Sequence, residues 1–89
     1  MKIQQMSNGK GGTVKNQFVL YGDNGDVYFQ SYQTIIVKQT GGGETFLDRD
    51  KWDYSVTTGK YRNLFLGETK KETEKKIKSG TYKLANLNG

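Results

Sequence analysis

The sequence predicts an α+β domain: a small antiparallel sheet of four to five strands, with two short helices near the C-terminus packed on one face. Three observations predict it. Period-two alternation runs through residues 13–21 and 26–32, around an Asp23-Asn24-Gly25 turn. Helix-capping residues concentrate beyond residue 56. Strand-like segments precede helical ones instead of alternating with them, which separates an α+β domain from a parallel α/β one.

Residues 1–12 end in Ser7-Asn8-Gly9-Lys10-Gly11-Gly12, whose glycines maximise backbone freedom. This stretch reads as a flexible N-terminal arm, and 13–89 as the single α+β domain. Spacing for a phosphate-cradling loop, with its terminal Gly-Lys-Ser/Thr, is absent. In residues 13–21, Phe18 and Leu20 share one face of a strand, and Val19 and Tyr21 the other. Asn24-Gly25 is the preferred centre of a two-residue type I′ hairpin turn. Residues 26–32 return as a second strand, with Val27 and Phe29 facing one way and Tyr28 and Gln30 the other.

Residues 33–39 are β-branched and apolar enough for a central strand. The join at Ser31-Tyr32-Gln33 is either a tight turn or a bulge within one long strand. Gly41-Gly42-Gly43 supplies the next turn, and Thr45-Phe46-Leu47 begins a short fourth strand. A polar connection over 48–56 carries Trp52 and Tyr54.

The first helix is expected over 58–66, with Thr57 or Thr58 as N-cap and Gly67 just past its end. Tyr61, Leu64 and Phe65 form its apolar stripe. The second helix starts at a capping box, Thr69-Lys70-Lys71-Glu72, and runs to Ser79 before Gly80. Only Ile77, helped by Thr73, offers it an apolar contact, so most of its surface is exposed. Residues 81–87 read as a final strand.

Composition narrows the function. The chain has 89 residues, and one this short buries only about 60–65% of its unfolded surface. Eleven aromatic residues (four Phe, one Trp, six Tyr) supply much of the small core. Without cysteine there is no disulfide, thiolate nucleophile or zinc–thiolate site. Without histidine the commonest general base and transition-metal ligand are missing. The N-terminus lacks the apolar core of a signal peptide, and no apolar run approaches the roughly 18 residues of a membrane span. These features point to a cytosolic, non-catalytic protein with no cofactor, metal or membrane partner.

Glu44, Asp48, Asp50 and Asp53 form the one acidic cluster that invites a metal or acid–base reading. The calcium-loop pattern fails there, because Trp52 and Gly59 stand where acidic ligands belong. Arg49 and Lys51 also interleave the acids and offset their field. Solvated loop carboxylates are the expected reading.

Charge is the stronger signal. Residues 1–59 hold six Lys/Arg against six Asp/Glu; residues 60–89 hold eight against three, so the whole net +5 lies in the last third. Lys71, Lys75 and Lys78 fall at i, i+4 and i+7, one stripe of the second helix. Lys60, Arg62 and Lys83 extend that surface, and Tyr54 and Tyr61 are the aromatics placed to stack on bases. The plainer alternative is a solvated face that keeps a small protein soluble.

Several blocks carry a resemblance. They are Phe29-Gln30-Ser31-Tyr32, Trp52-Asp53-Tyr54-Ser55, Thr57-Thr58-Gly59-Lys60-Tyr61-Arg62-Asn63, Phe65-Leu66-Gly67 and Ile77-Lys78-Ser79-Gly80. They resemble a family of small proteins of unknown function encoded by tailed bacteriophages and prophages. The resemblance implies a phage accessory protein made in the bacterial host cytoplasm, with no established site. The expected partner is nucleic acid, DNA or RNA, engaged through the basic helical surface. The alternative is a host nucleic-acid-handling protein that the chain inhibits, in an anti-defence role.

Overall fold

The computed structural model describes residues 2–7 and 11–89. Six strands form one sheet in chain order. β1 (Lys2–Ser7), β2 (Thr13–Tyr21), β3 (Val27–Ser31), β4 (Thr34–Gln39) and β5 (Thr45–Asp48) pair antiparallel with their neighbours. Helices α1 (Val56–Leu66) and α2 (Lys70–Lys78) follow, and β6 (Tyr82–Ala85) closes the sheet parallel to β5. Parallel neighbours need a long crossover, and the segment between β5 and β6 supplies one that carries both helices.

The α+β class is as expected, but the sheet has six strands where four to five are expected. The additional strand is β1, inside the stretch read as a flexible arm. Ile3 pairs with Leu20 and Gln5 with Phe18 across the β1–β2 ladder. Residues 8–10 of that arm lie outside the described residues. β1 is hidden because Ile3 and Met6 fall on opposite faces and glutamines separate them. Its order comes from backbone pairing, which side-chain patterning does not report.

The first hairpin also differs from expectation. A type I′ turn needs positive φ at both central residues, yet in Asp23-Asn24-Gly25 only Gly25 has it, at 91°. The Gly25 N–H donates to the Gly22 carbonyl at 3.4 Å, and the Gly22 N–H to the Asp26 carbonyl at 2.7 Å. This is a type I turn followed by a left-handed glycine. Thr40–Glu44 repeats the design with Gly43 at φ 94°. Asp26 ties the two loops, its carboxylate accepting from the Gly41 N–H at 3.1 Å.

Phe29, Ile36, Val37 and Leu47 are fully buried and pack with Tyr61 and Tyr82. Neighbours Ile36 and Val37 are both buried because the β3–β4 register slips between Phe29↔Val37 and Gln30↔Ile35, making Ile36 an extra residue. The join before it is a tight turn at Tyr32-Gln33. Helix α1 docks on β3 by stacking Phe65 on Phe29, with ring centroids 5.7 Å apart, and by a buried 2.8 Å bond between the Thr58 and Ser31 hydroxyls. Thr58 is therefore occupied, and the N-cap is Ser55, whose hydroxyl accepts from the Thr58 N–H at 3.1 Å. The helix accordingly begins at Val56, two residues before the expected start, and ends at Gly67 as expected. Leu64, expected in the apolar stripe, is instead 56% exposed.

The register sorts the sheet into two faces. Val19, Phe29, Val37 and Leu47 line up beneath the helices. On the opposite face one row crosses all six strands: Ile3, Leu20, Tyr28, Lys38, Phe46, Lys83.

Candidate nucleic-acid interface

Helix α2 owes its placement to its first turn and its inner face. The Glu72 N–H donates to the Thr69 hydroxyl at 3.2 Å, and the Thr69 N–H donates to the Glu72 carboxylate at 3.0 Å. That reciprocal pair holds the Glu72 carboxyl below its ordinary pKa, the Thr69 backbone bond first. Thr73 is fully buried and Ile77 packs on the core, so the helix rests on β6 through these two positions. Lys71, Lys75 and Lys78 consequently share the exposed side. With Glu74 they line a shallow recess of about 250 Å³. Among the described residues, none of these three lysines has an ion-pair partner within 4.0 Å.

The other two lysines of α2 are committed. Lys76 donates to Glu68 at 2.7 Å, beneath which Tyr82 donates to the same oxygen at 2.8 Å and Thr73 to the other at 2.5 Å. Burial alone would raise the Glu68 pKa, but the bonds from Lys76, Thr73 and Tyr82 outweigh it and hold the carboxyl low. Lys70 donates to Asp53 at 2.7 Å, an exposed contact that raises its own pKa.

Arg62 is not a phosphate ligand candidate in this fold. It is 1% exposed. Its guanidinium donates to the Trp52 carbonyl at 2.7 Å, to Asp53 at 3.1 Å and to Asn63 at 2.9 Å, and stacks 5.1 Å from the Trp52 ring. The side chain clamps the 48–56 connection to α1. Asp53 bears two cations, so burial, which would raise its pKa, is overcome by Lys70 and Arg62. Tyr61 likewise leaves the list of stacking residues, since it is 7% exposed within the core.

Of the remaining expected residues, Tyr54 is 44% exposed, with the Lys51 ammonium 5.3 Å from its ring centre. Lys60 is exposed and sits 5.4 Å from the Tyr61 ring. Lys83 belongs to the opposite sheet face, 3.3 Å from Glu44. The recess on α2 thus unites Lys71, Lys75 and Lys78, and includes neither Lys60 nor Lys83.

The acidic cluster is dispersed by structural work. Asp48 is 3% exposed and accepts from the backbone N–H groups of Lys51 and Leu87, at 3.0 and 2.9 Å. Among the described residues no group of three or more potential metal ligands comes together. Among the described residues no helix is long and apolar enough to cross a membrane.

Missed by the sequence reading are the residues of the face turned away from the helices: Phe18, Tyr28, Tyr32, Phe46 and Lys38. The available signal was the alternation itself, which put apolar residues on both faces of β2 and β3.

Fold and surface define a small α+β domain with a clustered cationic helix face and an aromatic sheet face. The chain belongs to a family of unknown function, DUF8033, whose sequence model matches residues 1–80. No curated protein and no solved structure matches it.

Proposed function

We propose that this chain is a non-catalytic binding protein for nucleic acid, with Lys71, Lys75 and Lys78 on phosphates, acting as a phage accessory protein in a bacterial cytoplasm. One observation carries the reading: three lysines at i, i+4 and i+7 share a recess with a single acid, Glu74, and none of them has an ion-pair partner within 4.0 Å among the described residues, whereas Lys70, Lys76 and Arg62 are neutralised. Three lysines set against one acid leave an excess of positive charge that favours an external anion, and each phosphate neutralised releases counter-ions from the nucleic acid. A salt titration tests it. With three phosphate contacts on a single strand, log K is expected to fall against log salt with a slope of about −2. Lys71→Glu combined with Lys75→Glu abolishes binding; unchanged affinity in that variant rejects the reading.

A second reading, a protein partner, is favoured by α1. Val56 is 91% exposed and Leu64 56%, and both line a groove of about 750 Å³ along α1 and the turn that follows it. Here a stoichiometric complex from host lysate survives nuclease treatment and is lost in Leu64→Lys.

A further inference from the structure

We infer that the sheet face turned away from the helices holds an unpaired base at Tyr32, so that the protein selects single-stranded over duplex nucleic acid. This rests on the nucleic-acid reading above and adds a second surface to it.

The backbone at Tyr32 is the first observation. Tyr32 has φ 58° and Asn16 has φ 66°, the two non-glycine residues with positive φ among those described. They are joined directly, the Tyr32 N–H donating to the Asn16 carbonyl at 2.6 Å. Glycine or asparagine would occupy the Tyr32 turn position with less strain. A tyrosine there gains little from burial, since it is 49% exposed. Strain retained for an exposed ring points to a use for the ring.

The surroundings define that use. Asn16, Phe18, Gln30, Tyr32, Gln33 and Thr34 line a recess of about 540 Å³. It contains two rings, three amides and the hydroxyls of Tyr32 and Thr34, and no charged group. The Gln30 amide N–H donates to the Tyr32 carbonyl at 2.7 Å, leaving its oxygen as an acceptor. The Asn16 and Gln33 side chains make no hydrogen bond to a described residue. An amide presents a donor beside an acceptor, the pattern that reads a base edge, and a ring offers a stacking plane. A phosphate has no counter-charge in this recess, but a neutral planar base fits.

The same face continues away from the recess. Phe18 and Gln30 are cross-strand partners on it, and the adjacent row carries Tyr28, Lys38, Phe46 and Lys83. Further rings thus alternate with lysines along the sheet; Lys38 and Lys83 lie 3.9 Å from Asp26 and 3.3 Å from Glu44, so what this row adds is rings for successive bases of one strand. A duplex keeps its bases stacked and paired, so it cannot use this face.

The test uses the full chain, with fluorescence anisotropy on a labelled single strand of about 12 nucleotides and its duplex, within the site sizes of sheet-borne binders. Tyr32→Gly is the informative variant, because it removes the ring while relieving the positive φ, so its thermal midpoint should not fall. Tyr32→Gly is expected to weaken single-strand binding about tenfold, the order of one base–ring stack, and to leave duplex binding unchanged. Gln33→Ala should reduce discrimination between bases. Wild-type single-strand affinity in Tyr32→Gly, with binding still abolished by Lys71→Glu and Lys75→Glu, overturns this inference and leaves the phosphate reading standing. No binding of either nucleic acid by the wild-type chain overturns both. Salt-independent binding of a neutral oligosaccharide that Tyr32→Gly removes would also overturn it, assigning the recess to a sugar ring.

Discussion

The Tyr82 hydroxyl donates to the Glu68 carboxylate at 2.8 Å, tying the last strand to the turn between the two helices. Lys76 and Thr73 of α2 converge on the same carboxylate, which is 4% exposed. One acidic group therefore holds α2, β6 and the interhelical turn together. Glu68→Ala strips three donors of their acceptor at once. A loss of about 1–3 kcal/mol is expected, measured by urea denaturation, without loss of helix capping at Thr69.

The same cluster sets a pH dependence. The Glu68 pKa is lowered on folding, so its contribution is present above the ordinary carboxyl value of 4.5 and disappears as pH falls through the lower folded value. Tyr82 is raised above 10.0 by burial and by Glu68, and Lys76 above 10.5 by its bond to Glu68. Their contributions are complete below those ordinary values and vanish as pH rises through the folded ones. The denaturation midpoint should be flat around neutrality and fall at both extremes, and in Glu68→Gln the acidic decline should shrink. A decline of equal size in Glu68→Gln would assign acid sensitivity to other carboxyls, Asp53 first.

Arg62 is a structural cation, distinct from the α2 lysines proposed to meet phosphate. It is buried against Trp52, with a carbonyl, a carboxylate and an amide as acceptors. Lysine cannot reproduce that planar fork. Arg62→Lys is expected to cost about 3 kcal/mol, the order of a broken buried ion pair, while the polyanion affinity proposed for α2 is unchanged in the folded protein. Calorimetric unfolding and anisotropy on the same sample check the two halves.

What was legible follows the range of the interactions. Helix α2 could be read because Thr69 and Glu72 cap each other three residues apart, and Gly67 because a left-handed helix end is a local need. Arg62 could not be told from Lys71 by charge or spacing; the difference is Trp52 and Asp53, about ten residues away in sequence and adjacent only after the connection folds over α1. Lys83 was misplaced for a related reason. Its strand contacts α2, but strand alternation sends its side chain to the other face. Tyr32 was visible as a residue, and its positive φ was not, because nothing local to a tyrosine demands one.

β1 provides a further check. It is an edge strand whose Met6 packs against the core, while Ile3 is 65% exposed. Deleting residues 1–7 should lower the denaturant midpoint and remove hydrogen-exchange protection from the amides of β2 that face β1. Protection unchanged in the deletion would show that β2 is the true edge in solution.

Gln17 carries the last prediction. It is fully buried on β2, opposite Ser31, and neither its amide nitrogen nor its amide oxygen meets a protein partner among the described residues. Its neighbour Ser31 spends its hydroxyl on Thr58 of α1, so the docking site for the helix is polar where an apolar contact would be ordinary. Burying an amide without partners costs about 1–3 kcal/mol, and a thioether of similar length has no such cost. Gln17→Met should therefore stabilise the fold, raising the thermal midpoint by several degrees for a domain of this size. The Ser31–Thr58 bond still sets the position of α1 in that variant. If Gln17→Met instead destabilises the chain by more than about 1 kcal/mol, the amide is bound in solution, and the polar contact between β2, β3 and α1 is a network that specifies how the helix docks.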